Sequence, residues 1–232
     1  MHISNKSRYR IVIGALALSF ACSPALSAQN EVRLPKPDLK GSVSVAQALA
    51  KKKTVRQYKG TPLTLQQVSQ LLWVANGDVP RDAMSGATFK VMPSAGGLYP
   101  LEVFLVVGQG GVAEVPAGVY QYNPRKNALE LTTQGDKRSL LANAALGQMW
   151  LARAPALVVI GAIFERTTMK YGSRGVNYVM MEAGSSNQNI YLQAESLGIS
   201  AGGVGAFDDA RVASVLGLPS SVKPLMIVAV GK

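Results

Sequence analysis

Five basic side chains within nine positions could bind a phosphate group. They belong to Lys51, Lys52, Lys53, Arg56 and Lys59. Their ammonium and guanidinium donors, together with the hydroxyl of Thr54, could converge on one dianion. The alternative is the basic C-terminal end of a helix, where cations complement the helix dipole and stay in solvent. The cluster alone favours that second interpretation, because basic helix ends are routine.

A turn of small residues is the second candidate site. Pro93 and Pro100 enclose Ser94-Ala95-Gly96-Gly97-Leu98-Tyr99, and an apolar strand follows at once. Two adjacent glycines remove two Cβ atoms, so a flat ligand could approach the peptide groups closely. An ordinary glycine turn before a buried strand is an equally open interpretation.

The first 28 residues have the pattern of a secretory signal. Three basic residues precede an apolar run over 11–20, and small residues at 25–27 suit cleavage. A lipid anchor at Cys22 is the less favoured alternative, because the residues before it are a poor lead-in to a lipidated cysteine. We therefore expect a periplasmic or secreted protein with no stable membrane insertion after the signal is removed.

Removal of this signal would also remove the only histidine and the only cysteine, His2 and Cys22. The mature protein would then have no imidazole base, no thiol nucleophile, no disulfide and no metal site with histidine or cysteine ligands. Its acidic residues are scattered, which disfavours an oxygen-ligand metal site as well. If the protein is an enzyme, a bound cofactor should carry the difficult chemistry.

The charge balance limits the choice of partners. The formal net charge is +11, and three of the basic residues lie in the signal, so the mature chain remains strongly basic. A basic chain attracts phosphate groups, nucleic acid or anionic membranes. Because no aromatic stacking platform accompanies residues 51–59, nucleic-acid binding is not expected.

Hydrophobic periodicity predicts one α+β domain over 43–232, preceded by an extended arm at 29–42. The expected architecture is a mixed or antiparallel sheet flanked by helices. The predicted strands are 101–107, 119–122, 128–131, 156–163 and 224–230. The predicted helices are 45–52, 65–76, 136–148, 176–197 and 209–216, and residues 78–92 are predicted to form a loop. The longest helix has a face of mixed polarity, which suits a ligand or a second subunit.

Four segments in order resemble the nitroreductase-like FMN proteins, most closely their SagB-type dehydrogenase branch. The two specific segments are Pro93–Glu102 and the stretch from Lys170-Tyr171-Gly172-Ser173-Arg174-Gly175 through Glu182-Ala183-Gly184 to Gln188-Asn189; the other two are 52–58 and Leu197-Gly198-Ile199 with the glycines after it. The resemblance covers roughly residues 43–231. It implies a nitroreductase-like α+β fold and a homodimer with FMN at the subunit interface. It also implies transfer of two electrons as hydride through flavin N5, to or from a small organic substrate.

Position by position, the resemblance implies a set of site residues. The phosphate of FMN would be held by Lys52, Lys53, Thr54 and Arg56. The isoalloxazine would lie along Pro93, Ser94, Ala95, Gly96 and Gly97, and near Gly203, Val204, Gly205 and Ala206. A Lys-Tyr pair assigned to proton transfer in azoline-forming relatives aligns with Lys170-Tyr171. A solvated loop lysine beside a packing tyrosine is the alternative for this pair.

Three positions depart from the family pattern. Ser185 stands where the branch usually has His after Glu-Ala-Gly, and Gly97 stands where many nitroreductases have Asn. After the last strand, Lys232 is the one basic residue expected to reach the phosphate. Ser185 and the single lysine after the last strand leave open a non-catalytic flavin carrier or partner subunit. An export signal also argues against azole formation, which is known from cytoplasmic peptide-modifying complexes.

Overall fold

The computed structural model describes Met1 and residues 31–80 and 88–232 of the chain. Most of the predicted signal therefore lies outside the described residues. Within the described parts, no helix combines the length and apolar character needed to cross a membrane.

A seven-stranded sheet organises the chain. Its strands are β1 (Glu31–Arg33), β4 (Leu101–Val107), β5 (Gly118–Asn123), β6 (Ala128–Gln134), β7 (Ala156–Ala162), β8 (Ser200–Val204) and β9 (Lys223–Gly231). They are arranged in the order β1-β6-β5-β4-β7-β9-β8, and each neighbouring pair is antiparallel. A separate two-stranded ribbon is formed by β2 (Asp78–Pro80) and β3 (Thr88–Lys90). The α+β prediction is confirmed, and the sheet is the antiparallel one of the two expected forms.

Helices cover both faces of this sheet. They are α1 (Val45–Lys51), α2 (Leu65–Asn76), α3 (Arg138–Ala144), α4 (Glu165–Tyr171), α5 (Arg174–Ser196) and α6 (Asp209–Leu216). Capping boxes begin the first two helices, because the hydroxyls of Ser44 and Thr64 accept from the backbone N–H groups of Gln47 and Gln67. α6 ends at Gly217, whose φ of 64° is the left-handed conformation that glycine adopts without strain.

The core lies on both sides of the central strands β4 and β7. Every residue of β7 is buried, as its continuous apolar run predicts. One face of the sheet packs against α2 and α5 through side chains that include Leu71, Val179 and Ile190. The other face packs against α3 and α6. The long helix α5 is thus fixed against the sheet along its length, and it positions the candidate site.

Several predicted elements differ in the structure. Residues 78–92 contain the β2–β3 ribbon in place of a loop throughout, and residues 31–33 of the predicted arm pair with β6. The helix predicted over 136–148 stops at Ala144, because Leu146 and Gly147 have positive φ values of 57° and 74°. A short 3-10 helix, Met149–Arg153, follows it. Helix α4 was not predicted.

Candidate active site

The Pro93–Pro100 segment forms a tight turn before β4. Ala95–Gly97 make one turn of 3-10 helix, and Gly96 and Gly97 have φ values of 62° and 65°. Both glycines are therefore needed for the backbone path, since side-chain-bearing residues reach this region only with strain. Tyr99 also has a positive φ, of 47°.

A buried glutamate of α5 holds this turn. The Ser94 hydroxyl donates to Glu182 Oε1 at 2.9 Å, and the Ala95 N–H donates to the same oxygen at 3.0 Å. Burial raises the pKa of Glu182, and these two hydrogen bonds partly offset that rise. The sequence placed Glu182 on the mixed face of the longest helix but gave it no role, because its partners are about ninety positions away in the chain.

The Lys170–Tyr171 pair lies against Gly96. A Cβ built at Gly96 would lie 2.7 Å from the Tyr171 hydroxyl and 2.9 Å from Lys170 Nζ. The Tyr171 ring makes an edge contact with Tyr178, with 5.1 Å between the ring centroids. The structure therefore brings together the predicted proton-transfer pair and the glycine turn.

Arg166, one helical turn before Lys170, ties α4 to the same turn. It pairs with Glu102 at 2.6 Å and donates to the carbonyl oxygen of Tyr99 at 3.1 Å. Residues four apart lie on the same face of a helix, so this anchor also directs Lys170 toward Gly96. Sequence reasoning missed Arg166, because helix α4 has no apolar stripe that would reveal it.

The basic segment runs as extended chain beside β8. Helix α1 ends at Lys51, Lys52 has an extended conformation, and the Val55 N–H donates to the carbonyl oxygen of Ala201 at 2.9 Å. The helix-end interpretation therefore holds for Lys51 and Lys52, which end and cap α1, whereas residues 53–56 continue as extended chain. No ion pair with an acidic side chain involves Lys52, Lys53 or Arg56 among the described residues.

Aromatic side chains missed by the sequence surround this segment. Lys52 Nζ lies 5.7 Å from the centroid of the Tyr191 ring, and Arg56 Cζ lies 5.8 Å from that of Trp150. The Tyr191 hydroxyl is 3.3 Å from Thr54 Oγ1 and accepts from the Gly203 N–H at 2.7 Å. Tyr191 thus joins the basic segment to the second glycine-rich segment.

That glycine-rich segment forms β8 and the turn after it. A Cβ at Gly202 would lie 2.1 Å from the carbonyl oxygen of Val55, so this glycine permits the close approach of the basic segment. No atom of the described residues lies within 4 Å of a Cβ built at Gly205. The carbonyl oxygen of Ala206 accepts from Gln148, and the Val204 side chain is buried. Of the predicted residues here, Gly203 is the one bonded to Tyr191.

Two of the departures from the family pattern now have a structural setting. The Ser185 hydroxyl donates to the carbonyl oxygen of Met181 within α5, so it does not replace an imidazole. The carbonyl oxygen of Lys232 accepts from the Lys59 N–H, which places the last described residue beside the basic cluster.

The predicted site residues fall into two groups on opposite sides of α5. The glycine turn contacts Glu182, whereas the basic segment contacts Tyr191, nine residues farther along the helix. Nine residues advance about 13 Å along the axis and half a turn around it. One chain therefore presents two half-sites, one on each side of α5.

The two groups fit the parts of FMN. The basic segment offers a phosphate the Thr54 hydroxyl and cations that form no ion pair among the described residues. The glycine turn offers a flat ring the backbone of Gly97, where a Cβ would lie 4.0 Å from Tyr99 Cε2. Near Gly203, Asn187 Oδ1 is buried without a hydrogen-bond partner, as expected of an acceptor that a ligand would satisfy.

Comparison with known proteins agrees with this geometry. Over 203 residues the chain is 39% identical to MJ1384 of Methanocaldococcus jannaschii, named as a nitroreductase, covering 88% of this chain and 98% of that protein. It is 32% identical over 146 residues to the microcin B17-processing protein McbC of Escherichia coli, covering 61% of this chain and 54% of McbC.

A crystal structure described as a nitroreductase of Ralstonia eutropha superposes with a TM-score of 0.75, at 27% identity, covering 89% of this chain and 90% of that one. The similarity to McbC also confirms the resemblance to the SagB-type branch. The model of the Nitroreductase family matches residues 49–232. The chain therefore belongs to the nitroreductase family of oxidoreductases.

Proposed function

We propose that this protein is an exported, FMN-dependent oxidoreductase that acts as a homodimer on a small organic substrate. The observation that carries the proposal is the position of Lys170 and Tyr171 over the side-chain-free backbone of Gly96. An ammonium and a phenolic hydroxyl there would lie beside a flat cofactor bound at the turn. When bound, FMN would supply two-electron transfer as hydride through its N5 atom.

The residues of this chain would bind the cofactor and move protons. Lys52, Lys53, Thr54 and Arg56 would hold the phosphate. Lys170 would stabilise negative charge that develops over Gly96, and the Tyr171 hydroxyl would donate a proton to the substrate.

A homodimer is supported by the separation of the two half-sites and by an exposed apolar patch. Because the half-sites lie on opposite sides of α5, the glycine turn of one copy would meet the basic segment of the other. Beside Lys170 and along the first turns of α5, four apolar side chains remain in solvent, with relative exposures from 38% to 88%: Met169, Val176, Met180 and Met181. Such a patch is typical of a protein interface.

Arg56→Ala tests the phosphate assignment. Loss of one charge-assisted contact should weaken FMN binding about tenfold, measured by quenching of flavin fluorescence during titration of the signal-free protein. Arg125→Ala is the matched control, since Arg125 is an exposed arginine on the β5–β6 turn that makes no ion pair in the described chain. Equal affinities for the two variants would contradict the phosphate clamp, and a wild-type protein that binds no FMN would refute the proposed function.

A non-catalytic flavin carrier is the second candidate. It is favoured by Ser185, whose hydroxyl is bonded back to its own helix where the branch usually has an imidazole. Assays of the FMN-loaded protein with reduced nicotinamides as donors and nitroaromatics or quinones as acceptors separate the two candidates. Turnover that falls in Lys170→Ala and Tyr171→Phe supports the enzyme, whereas stoichiometric FMN binding without turnover supports the carrier.

A further inference from the structure

Glu182 is a buried carboxylate to which neither the family comparison nor the proposed chemistry gives a task. Its residue is 5% exposed, and its Oε2 atom is buried without a hydrogen-bond partner. Among the described residues, no cation forms an ion pair with it. Burying a carboxylate costs free energy unless it is hydrogen-bonded, and the two donors to Oε1 offset part of that cost.

Those two donors both belong to the glycine turn. Ser94 and Ala95 converge on one oxygen at 2.9 and 3.0 Å, and Ser94 Oγ in turn accepts from the Tyr99 N–H at 2.9 Å. A serine hydroxyl has one hydrogen to donate. Because that hydrogen is given to Glu182, Ser94 has none left to donate to a ligand lying on the turn.

This network fixes both ends of the turn. Ser94 precedes the positive-φ glycines and Tyr99 follows them, so the chain from Tyr99 through Ser94 to Glu182 closes the loop around Gly96 and Gly97. The position of this loop then sets the distance from Gly96 to Lys170 and Tyr171 of α4. A shift of the turn would alter the space left for a flat ligand.

We propose that Glu182 is a positioning residue, whose carboxylate acts through Ser94 and Ala95 to hold the glycine turn in a ligand-ready conformation. Ser94 accordingly serves the turn and does not donate to the cofactor. Burial raises the pKa of Glu182, consistent with a carboxylate held away from solvent. The inference rests on the proposed function only in naming FMN as the ligand.

A double-mutant cycle tests this role. Ser94→Ala and Glu182→Ala should each weaken FMN binding about tenfold, and the double variant should be no weaker than the weaker single variant, because both changes break one network. Glu182→Gln should stay within about threefold of wild type, since its amide oxygen can accept from the same two donors. FMN affinity close to that of wild type in Glu182→Gln would exclude a role that depends on the negative charge of Glu182 alone.

The visible absorption bands of bound FMN give a second readout. They should be the same in Ser94→Ala and Glu182→Ala once the flavin is saturating. Additive losses of affinity, or a band shift found in Ser94→Ala and absent from Glu182→Ala, would mean that Ser94 bonds the flavin directly and would overturn the proposal.

The flavin-free protein separates this inference from the proposed function. The same cycle measured by thermal unfolding should show the same coupling between Ser94 and Glu182 without any cofactor. If wild-type protein binds no FMN but the coupling is present, the proposed function fails and the network stands. If Glu182→Ala does not fold, Ser94→Ala is compared with Glu182→Gln alone. Wild-type FMN affinity in Ser94→Ala, or a loss in Glu182→Gln as large as that in Ser94→Ala, would overturn the proposal.

Discussion

Substitution of Gly96 by alanine tests the contact between α4 and the glycine turn, on which the candidate site depends. Two costs are expected. A non-glycine residue at a φ of 62° costs about 1 kcal/mol in unfolding free energy. The new Cβ would also meet the Tyr171 hydroxyl at 2.7 Å and Lys170 Nζ at 2.9 Å, so both side chains must move.

The size of the second cost depends on the contacts that Lys170 and Tyr171 lose when they move. Displacing Tyr171 disturbs its edge contact with Tyr178, worth about 1 kcal/mol for an aromatic pair. Gly96→Ala should therefore lower the free energy of unfolding by about 2 kcal/mol in total. Both displaced groups are ends of side chains rather than backbone, so the variant should still fold.

Gly97→Ala is the matched control for stability. Gly97 has nearly the same φ, 65°, but within the described parts of the chain a Cβ there would meet only Tyr99 Cε2, at 4.0 Å. It should cost about 1 kcal/mol, the backbone term alone. Urea unfolding of the flavin-free variants, followed by circular dichroism, measures the difference. In a Tyr171→Phe background the excess cost of Gly96→Ala should shrink, and equal costs for the two glycines in the wild-type background would refute the proposed contact.

Two further predictions concern charge and assembly. Hydrogen bonds from Arg138 and the Gln109 N–H outweigh burial and lower the pKa of Asp136 to about 2, so its contribution to stability is complete above about pH 4 and is lost toward pH 2. Because its side chain is 31% exposed, Asp136→Asn should lower the free energy of unfolding by only about 1 kcal/mol at pH 7. The same loss at pH 2, measured by urea unfolding, would contradict this prediction. In the proposed dimer, mixing Arg56→Ala with Lys170→Ala subunits should restore about a quarter of wild-type turnover, measured at an FMN concentration too low to fill Arg56→Ala, because half of the dimers would be hybrids with one intact site. No recovery would show that each site is built within one chain.

The parts of the fold that the sequence predicted are those in which local signals agree with the packing. Strands β4 and β7 have continuous apolar, β-branched runs and are buried on both faces. Helices α1 and α2 begin at capping boxes, and their predicted limits agree with the structure to within one residue.

The elements that were missed depend on contacts distant in sequence. Strand β8 is rich in glycine, which disfavours strands, yet it pairs with β9. Its Gly202 also leaves room for the carbonyl oxygen of Val55 in the basic segment. Helix α4 has no apolar stripe and is held by Arg166 through Glu102 and the Tyr99 carbonyl. Neither contact can be inferred from local residue patterns.

The residues of the candidate site divide in the same way into those that were predicted and those that were missed. The resemblance identified the glycine turn, the basic segment and the Lys170–Tyr171 pair, because each is a short contiguous motif. Their supports, Glu182, Tyr191 and Trp150, are single side chains placed by the packing of α5 and of the 3-10 helix before β7, and such positions have no local signature.

The arrangement around α5 also bears on how the predicted motifs could combine into one flavin site. The resemblance implies a homodimer with FMN at the subunit interface, but it does not divide the predicted flavin contacts between the two chains. Glu182 and Tyr191 place them on opposite sides of the same helix, about 13 Å apart along its axis. A single FMN molecule could touch both groups in one chain only by passing around a helix that is packed against the sheet. The proposed homodimer would remove this conflict, since a two-fold axis that pairs the apolar side chains of the two copies could bring the turn of one chain toward the basic segment of the other.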